Sequence, residues 1–268
     1  GTVWEAAMSA PSFGLDRLVA IVDVNGFQAS GATDTIMPLE PLVEKWRAFG
    51  WHAIIVDGHD IKAIHDALVE AKITHDRPTM ILAKTVKGKG VSLMEGTDGW
   101  HGKPVKIGPD LAKVLAELDA QLVPEAKTPQ ITAPEIRVQS ESKPSGPPLL
   151  PTAPSYSLGS EVATRTAYGN ALAAIGSVDQ RVVALDADVG NSTFSQTFEQ
   201  AFPERFYQTY IAEQVMIGAA MGLASRGAIP FPSTFAAFLT RASDFIRMAG
   251  IGRMNIKLSG SHAGVSIG

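Results

Sequence analysis

Where the sequence runs Val22-Asp23-Val24-Asn25-Gly26, an apolar stretch ends in residues that handle cations. An Asn leaving a strand can turn its amide oxygen toward a hard cation. The Gly after it lets the backbone bend sharply enough to offer a carbonyl as well. The same two residues are also the composition of a plain Asn-Gly turn. Further on, Lys84-Thr85-Val86-Lys87-Gly88-Lys89-Gly90 sets three ammonium groups among turn-forming glycines. Exposed amides and cationic side chains there suit a diphosphate. The glycine spacing and final Lys-Ser/Thr pair of a Walker loop are absent, and a solvated basic loop is the alternative. In Trp100-His101-Gly102-Lys103-Pro104, His101 is a candidate proton carrier or phosphate contact, or a structural histidine.

Carboxylates recur in the second half. Leu185-Asp186-Ala187-Asp188 ends another apolar run, and Asn191-Ser192-Thr193 follows it with the composition of a helix cap. In Tyr210-Ile211-Ala212-Glu213-Gln214-Val215-Met216 a single carboxylate stands among apolar residues at a helix start. Burial there would raise its pKa and let it hold or donate a proton; otherwise it is a Glu favoured by the helix dipole. Phe235 and Phe238, three apart, fall on one face of a predicted helix, the spacing of core aromatics as well as of a ligand wall.

Such residues need strands to carry them, because in open parallel sheets ligands gather beyond the carboxyl ends of the strands. Apolar runs and helical periods alternate over 18–24, 42–49, 52–56, 61–72 and 79–84, a β-α-β-α-β rhythm. The run Leu18 to Val22 predicts a strand covered on both faces. The rhythm repeats with helices over 161–175, 213–225 and 235–249 and strands over 181–185, 229–233 and 256–259. Between Pro124 and Ser157 lie eight of the 17 prolines, which predicts a semi-rigid linker. The expectation is an α/β chain of two lobes with mostly parallel sheets, 1–123 and 158–268, joined by a proline-rich linker over 124–157.

Composition excludes several partners. A net charge of −4 offers no basic field for nucleic acid or an anionic membrane. With no cysteine there is no disulfide, iron–sulfur cluster or thiolate-ligated zinc, which suits a reducing cytosol and a cytoplasmic location. No apolar run approaches the length of a membrane span.

Taken in order, Gly50-Trp51-His52-Ala53-Ile54-Ile55-Val56-Asp57-Gly58-His59, Ala83 to Gly90, Trp100 to Pro104, Tyr210-Ile211-Ala212-Glu213-Gln214 and Ser233-Thr234-Phe235-Ala236-Ala237-Phe238 resemble the transketolase family of animals and many bacteria. The resemblance runs from about Val3 to Gly268 and is weak only through the linker. It implies thiamine diphosphate and a divalent cation, Mg²⁺ or Ca²⁺, serving transfer of a two-carbon ketol unit between sugar phosphates in the pentose phosphate pathway. It further implies a diphosphate-binding first lobe, a pyrimidine-binding second lobe and a homodimer with cofactor held between subunits.

By the same resemblance, Asn25 and the carbonyl of Phe27 correspond to metal ligands, and Lys87 and His101 face the diphosphate and the reacting carbon. Glu213 corresponds to the glutamate at the aminopyrimidine nitrogen, where it favours the tautomer that lets the cofactor act as its own base. Phe235 and Phe238 match the walls around the pyrimidine, and Asp188 an acid near the thiazolium. Arg165, Ser192 and His262 match the groups that hold the sugar's phosphate end. Around Gln28 the spacing departs from the animal pattern, so no cofactor role is carried to it.

The family's Gly-Asp-Gly metal motif is expected about thirty residues before Asn25, ahead of the first residue, and a C-terminal domain is expected after the last. Both lobes are accordingly expected to be incomplete. The rivals are the related 1-deoxyxylulose-5-phosphate-synthase type, which joins pyruvate to a triose phosphate, and a catalytically dead binding or dimerisation module. Trp100 to Pro104 and Ala163 to Gly169 favour transketolase over the synthase. Metal-dependent binding of thiamine diphosphate separates an enzyme part from a dead module. The 268-residue chain assayed by itself is expected to lack appreciable ketol transfer from xylulose 5-phosphate to ribose 5-phosphate, since a misplacement of about 1 Å already costs around a hundredfold. Turnover at an ordinary enzyme rate would overturn this.

Overall fold

The computed structural model describes residues 1–122 and 151–264. Of these, 6–122 form one compact unit, and 1–5 with 151–264 form another. The linker expected over 124–157 lies outside the described residues as far as residue 150; residues 151–157 contain no helix or strand.

Helix α1 (Thr2–Ser12) opens the chain, followed by β1 (Val19–Val24), the short strands β2 (Phe27–Gln28) and β3 (Gly31–Ala32), and α2 (Thr33–Ile36). Then come α3 (Leu42–Ala48), β4 (His52–Asp57), α4 (Ile61–Ile73), β5 (Thr79–Lys84) and α5 (Pro109–Asp119). The predicted β-α-β-α-β rhythm is therefore present, with α1, α2, α5 and the β2–β3 hairpin in addition. Strands β1, β5 and β4 form a parallel sheet in that order, and β5 is buried from Thr79 to Ala83 because it has a neighbour on each side. Asp60 starts α4 by accepting from the backbone N–H groups of Lys62 and Ala63. The expectation of a strand covered on both faces fails for β1. It is an edge of the described sheet, and Ile21 is 57% exposed. Along β1 exposed and half-buried residues alternate, so one face is left open, and an unbroken apolar run does not by itself show that both faces are covered.

In the other unit, α6 (Thr164–Val178) leads to β6 (Val182–Asp186), the short helices α7 (Gly190–Thr193) and α8 (Gln196–Ala201), and β7 (Phe206–Gln208). Next come α9 (Glu213–Ser225), β8 (Ile229–Phe235), α10 (Ala236–Leu239), α11 (Ser243–Ile251) and β9 (Ser259–Ser261). All four strands are parallel in the order β7-β6-β8-β9. The chain leaves β6 toward β7 on one side and leaves β8 toward β9 on the other. The crevice beyond the ends of β6 and β8 is thus a topological switch point, where such sheets bind ligands.

Several predicted boundaries move. The helix expected from residue 161 begins at Thr164, and the strand expected over 256–259 is instead Ser259–Ser261. The single helix expected over 235–249 is broken into α10, a 3₁₀ turn at Thr240–Ala242, and α11. Phe235 itself is the last residue of β8, because that strand runs two residues beyond its expected end to pair with β9.

Helix α6 reaches its neighbours through glycines. At Gly169 an added Cβ would lie 2.4 Å from the carbonyl oxygen of Phe194, a backbone atom that cannot swing aside. Gly169→Ala is expected to destabilise the fold by about 1–3 kcal/mol through overpacking. Urea unfolding checks this, and an unchanged midpoint would refute the close approach.

Candidate functional site

In the unit built on β1, a cavity of about 390 Å³ lies past the strand's carboxyl end, lined by Asp23, Asn25, Phe27 and Thr85 among others. The Asp23 carboxylate accepts from Asn25 Nδ2 at 3.1 Å and from the Thr85 hydroxyl. Asn25 Oδ1 accepts from the backbone N–H of Phe27 at 2.9 Å, and Gly26 turns at φ 76°. Asn25 therefore does form a turn. The same contacts set its amide so that the NH₂ points to Asp23 and the oxygen keeps a second lone pair. Among the described residues no cluster of three or more His, Cys, Asp or Glu side chains could hold a metal. The donors gathered here are amide, carbonyl and carboxylate oxygens, which fit a hard divalent cation.

Lys87 and His101 do not line this cavity. Lys87 is half-buried in the turn after β5, where its carbonyl accepts from the Gly96 N–H at 2.8 Å, and His101 lies exposed in a loop.

In the other unit a cavity of about 570 Å³ is lined by Arg165, Tyr168, Thr193 and His262, together with Ser259 to Ser261. Arg165 Nη1 donates to His262 Nε2 at 2.7 Å, which leaves Nδ1 to meet Ser261 Oγ at 2.8 Å. Residues 97 positions apart in sequence thus form one polar rim. The His262 ring lies 4.2 Å from that of Phe235, which in turn stacks on Phe238 at 5.1 Å between centroids. The two phenylalanines meet although only Phe238 is helical, because the chain turns from β8 into α10 between them. Tyr168 shares a 2.7 Å hydrogen bond with the buried Ser233 hydroxyl, and burial raises its pKa.

Asp186 sits at the end of β6 with no exposed surface. Its Oδ2 accepts from the hydroxyls of Thr193 at 2.8 Å and Ser195 at 2.7 Å, and its Oδ1 accepts from the Val189 N–H at 2.7 Å. The Asn191-Ser192-Thr193 segment is therefore no helix cap: α7 has no side-chain cap bond, and the Thr193 hydroxyl turns inward to Asp186. A buried acceptor outcompetes a capping role for that hydroxyl. Ser192 is half-buried and adjoins the cavity's Thr193 without lining the cavity itself. Asp188 is exposed at φ 63°, its N–H donating to Gln208 Oε1 at 2.9 Å.

Glu213 is 4% exposed at the first turn of α9, buried as the apolar surroundings suggested. It does not stand as an isolated carboxyl. Arg241 Nη1 donates to its Oε2 at 3.0 Å, and Arg241 also pairs with Glu5. Neither Arg241 nor Tyr168 is singled out by the sequence reading, since no motif or period brings them to these partners. Asp186 stands in the quoted strand end, where its position after an apolar run was the available signal.

The residues 1–121 match the family model described as transketolase, thiamine diphosphate binding domain, and 160–268 match transketolase, pyrimidine binding domain. The chain is 44% identical to human transketolase over 274 residues, covering all of this chain and 42% of the human protein. It is 40% identical to transketolase-like protein 1 of Macaca fascicularis over 278 residues, covering 44% of that protein. In fold it is similar to the transketolase from Leishmania mexicana, with a TM-score of 0.75 and 22% identity over the whole of this chain and 46% of that one. The chain spans less than half the length of these relatives.

Asp186 also generates a pH test. Burial raises its pKa above the ordinary 3.8, against the lowering effect of its three donors, and the nearby Asp188 charge adds to the rise. The folded chain then binds this proton more tightly than the unfolded chain. Its contribution to stability is complete below 3.8 and is lost as pH rises through the raised folded value. The stability of the native chain relative to Asp186→Asn should fall as urea unfolding is repeated from about pH 3 to about pH 7. A difference independent of pH would refute it.

Proposed function

The chain belongs to the transketolase family, and on that premise we propose that it supplies cofactor-holding and substrate-holding parts of a ketol-transfer enzyme. The donor is a ketose phosphate and the acceptor an aldose phosphate. The observation that carries this reading is the Arg165–His262 pair on the rim of a cavity, beside the stacked Phe235 and Phe238, in the segment that matches the pyrimidine-binding domain.

Thiamine diphosphate, if bound, would supply the carbon nucleophile that ketol transfer requires. The residues act around it. Asn25 Oδ1 and the Phe27 carbonyl would hold Mg²⁺ or Ca²⁺, and Lys87 would offer its charge to the diphosphate. Phe235 and Phe238 pack against the aminopyrimidine, and Glu213 holds a proton at its ring nitrogen. Asp188 bears on the thiazolium side. His101 moves a proton at the reacting end of the sugar, while Arg165, Ser192 and His262 hold its phosphate. In this reading two copies of the chain pair as a homodimer to assemble these groups, in the cytoplasm, within the pentose phosphate pathway.

In a turnover-competent enzyme carrying this chain, Arg165→Ala should raise KM for xylulose 5-phosphate and leave thiamine diphosphate affinity nearly unchanged. Losing a charge-assisted contact costs about 1.5–3 kcal/mol, so kcat/KM should drop roughly ten- to more than a hundredfold. Hydroxypyruvate, which has no phosphate, should be affected much less. Equal losses with both donors would refute the phosphate role.

A further inference from the structure

We propose that Asp186 is a positioning residue for the phosphate-holding rim, acting through the turn 189–195. The idea rests on the reading above, in which Arg165 and His262 take the sugar's phosphate, and it concerns a residue that this reading leaves without a role.

Asp186 is the carboxylate anchor of the turn. Asp186 grips both neighbours of Phe194: the Thr193 hydroxyl at 2.8 Å and the Ser195 hydroxyl at 2.7 Å. Its other oxygen takes the Val189 N–H, and the Val189 carbonyl accepts from the N–H groups of Ser192 and Thr193 at 2.8 and 2.9 Å. The carboxylate is itself held, because the Asp186 carbonyl accepts from both the N–H and the hydroxyl of Thr209 at 2.9 and 2.8 Å.

Phe194, fixed between the two gripped residues, takes a left-handed conformation at φ 64°. Non-glycine residues rarely adopt that conformation, so it persists only where its surroundings enforce it. The Phe194 ring lies beneath the Arg165 guanidinium, 5.6 Å from centroid to Cζ. Thr193 forms part of the cavity wall. One buried carboxylate therefore determines where the wall stands, where Ser192 turns, and what surface Arg165 rests on. It has no exposed area and lies behind the wall, so it acts on substrate only through these residues.

Removing one of the acceptor oxygens while keeping the shape should loosen the rim without touching the catalytic end. The test uses Asp186→Asn, with Ser195→Ala as a second variant that deletes one donor at a buried residue outside the cavity wall. Ribose 5-phosphate is titrated into the 268-residue chain by calorimetry, without cofactor. In a turnover-competent enzyme carrying the chain, xylulose 5-phosphate and hydroxypyruvate are then compared as donors. Both variants should weaken ribose 5-phosphate binding at least tenfold and raise KM for xylulose 5-phosphate, while kcat with hydroxypyruvate stays within about twofold.

A merely structural role would lower both donors' turnover together. If the native chain binds ribose 5-phosphate and the variants bind it equally well, the positioning role is overturned and the phosphate reading stands. If the native chain does not bind it, the phosphate reading and this inference fall together. Should Asp186→Asn fail to fold, Ser195→Ala alone decides between these outcomes.

Discussion

A carboxylate at the end of a buried parallel strand has to find donors, and at Asp186 that requirement shapes half of the candidate site. Taking a charged or polar group out of water costs several kcal/mol unless hydrogen bonds replace the lost solvent. Two hydroxyls and a backbone N–H supply them, and all three come from the turn that follows β6. The turn is consequently folded around the carboxylate. Phe194, Thr193 and the resting place of Arg165 follow from it, and the approach of α6 to the Phe194 carbonyl is possible because residue 169 is Gly.

The other unit uses the same device in a wetter setting. Asp23 near the end of β1 binds the Asn25 amide and the Thr85 hydroxyl, tying the loop after β1 to the loop after β5. Asp23 is exposed, so the energy at stake is smaller than at Asp186. What it contributes is orientation: with the NH₂ committed to Asp23, the Asn25 amide oxygen is the atom turned toward Phe27. In both units an acidic residue at a strand end works as an acceptor for its own loop, and the groups fit to meet a ligand are those it arranges.

Charge pairing sets the character of the remaining candidates. Glu213 is buried with the exposed Arg241 beside it, so removing that arginine would leave a buried carboxylate without its partner charge. Arg165 is exposed and has no carboxylate partner among the bonds described, donating instead to His262 Nε2, so its charge faces the cavity. The two arginines thus do opposite things: Arg241 is committed to carboxylates, whereas Arg165 rests on an aromatic face with its donors near the cavity.

From sequence alone, periodicity determined the α/β class and the positions of most strands and helices, because apolar side chains must recur every second or every 3.6 residues to reach a core. Strand ends then pointed to Asn25, Asp188 and their neighbours, and ordered motifs pointed to the family. Tertiary structure decided the rest. Whether both faces of β1 were covered depended on what packed against them, and the apolar run Leu18 to Val22 carries no record of that. Phe235 went to β8 and not to the following helix because β8 continued to pair with β9, a contact between distant segments. Thr193 has the residue type of a cap, yet its hydroxyl went to a carboxylate seven positions earlier. Arg165 meeting His262, Arg241 meeting Glu213 and Tyr168 meeting Ser233 are separated by 97, 28 and 65 positions. Local pattern encodes which face of an element is apolar, but polar partners across such separations are set only when the sheet order brings strand ends together.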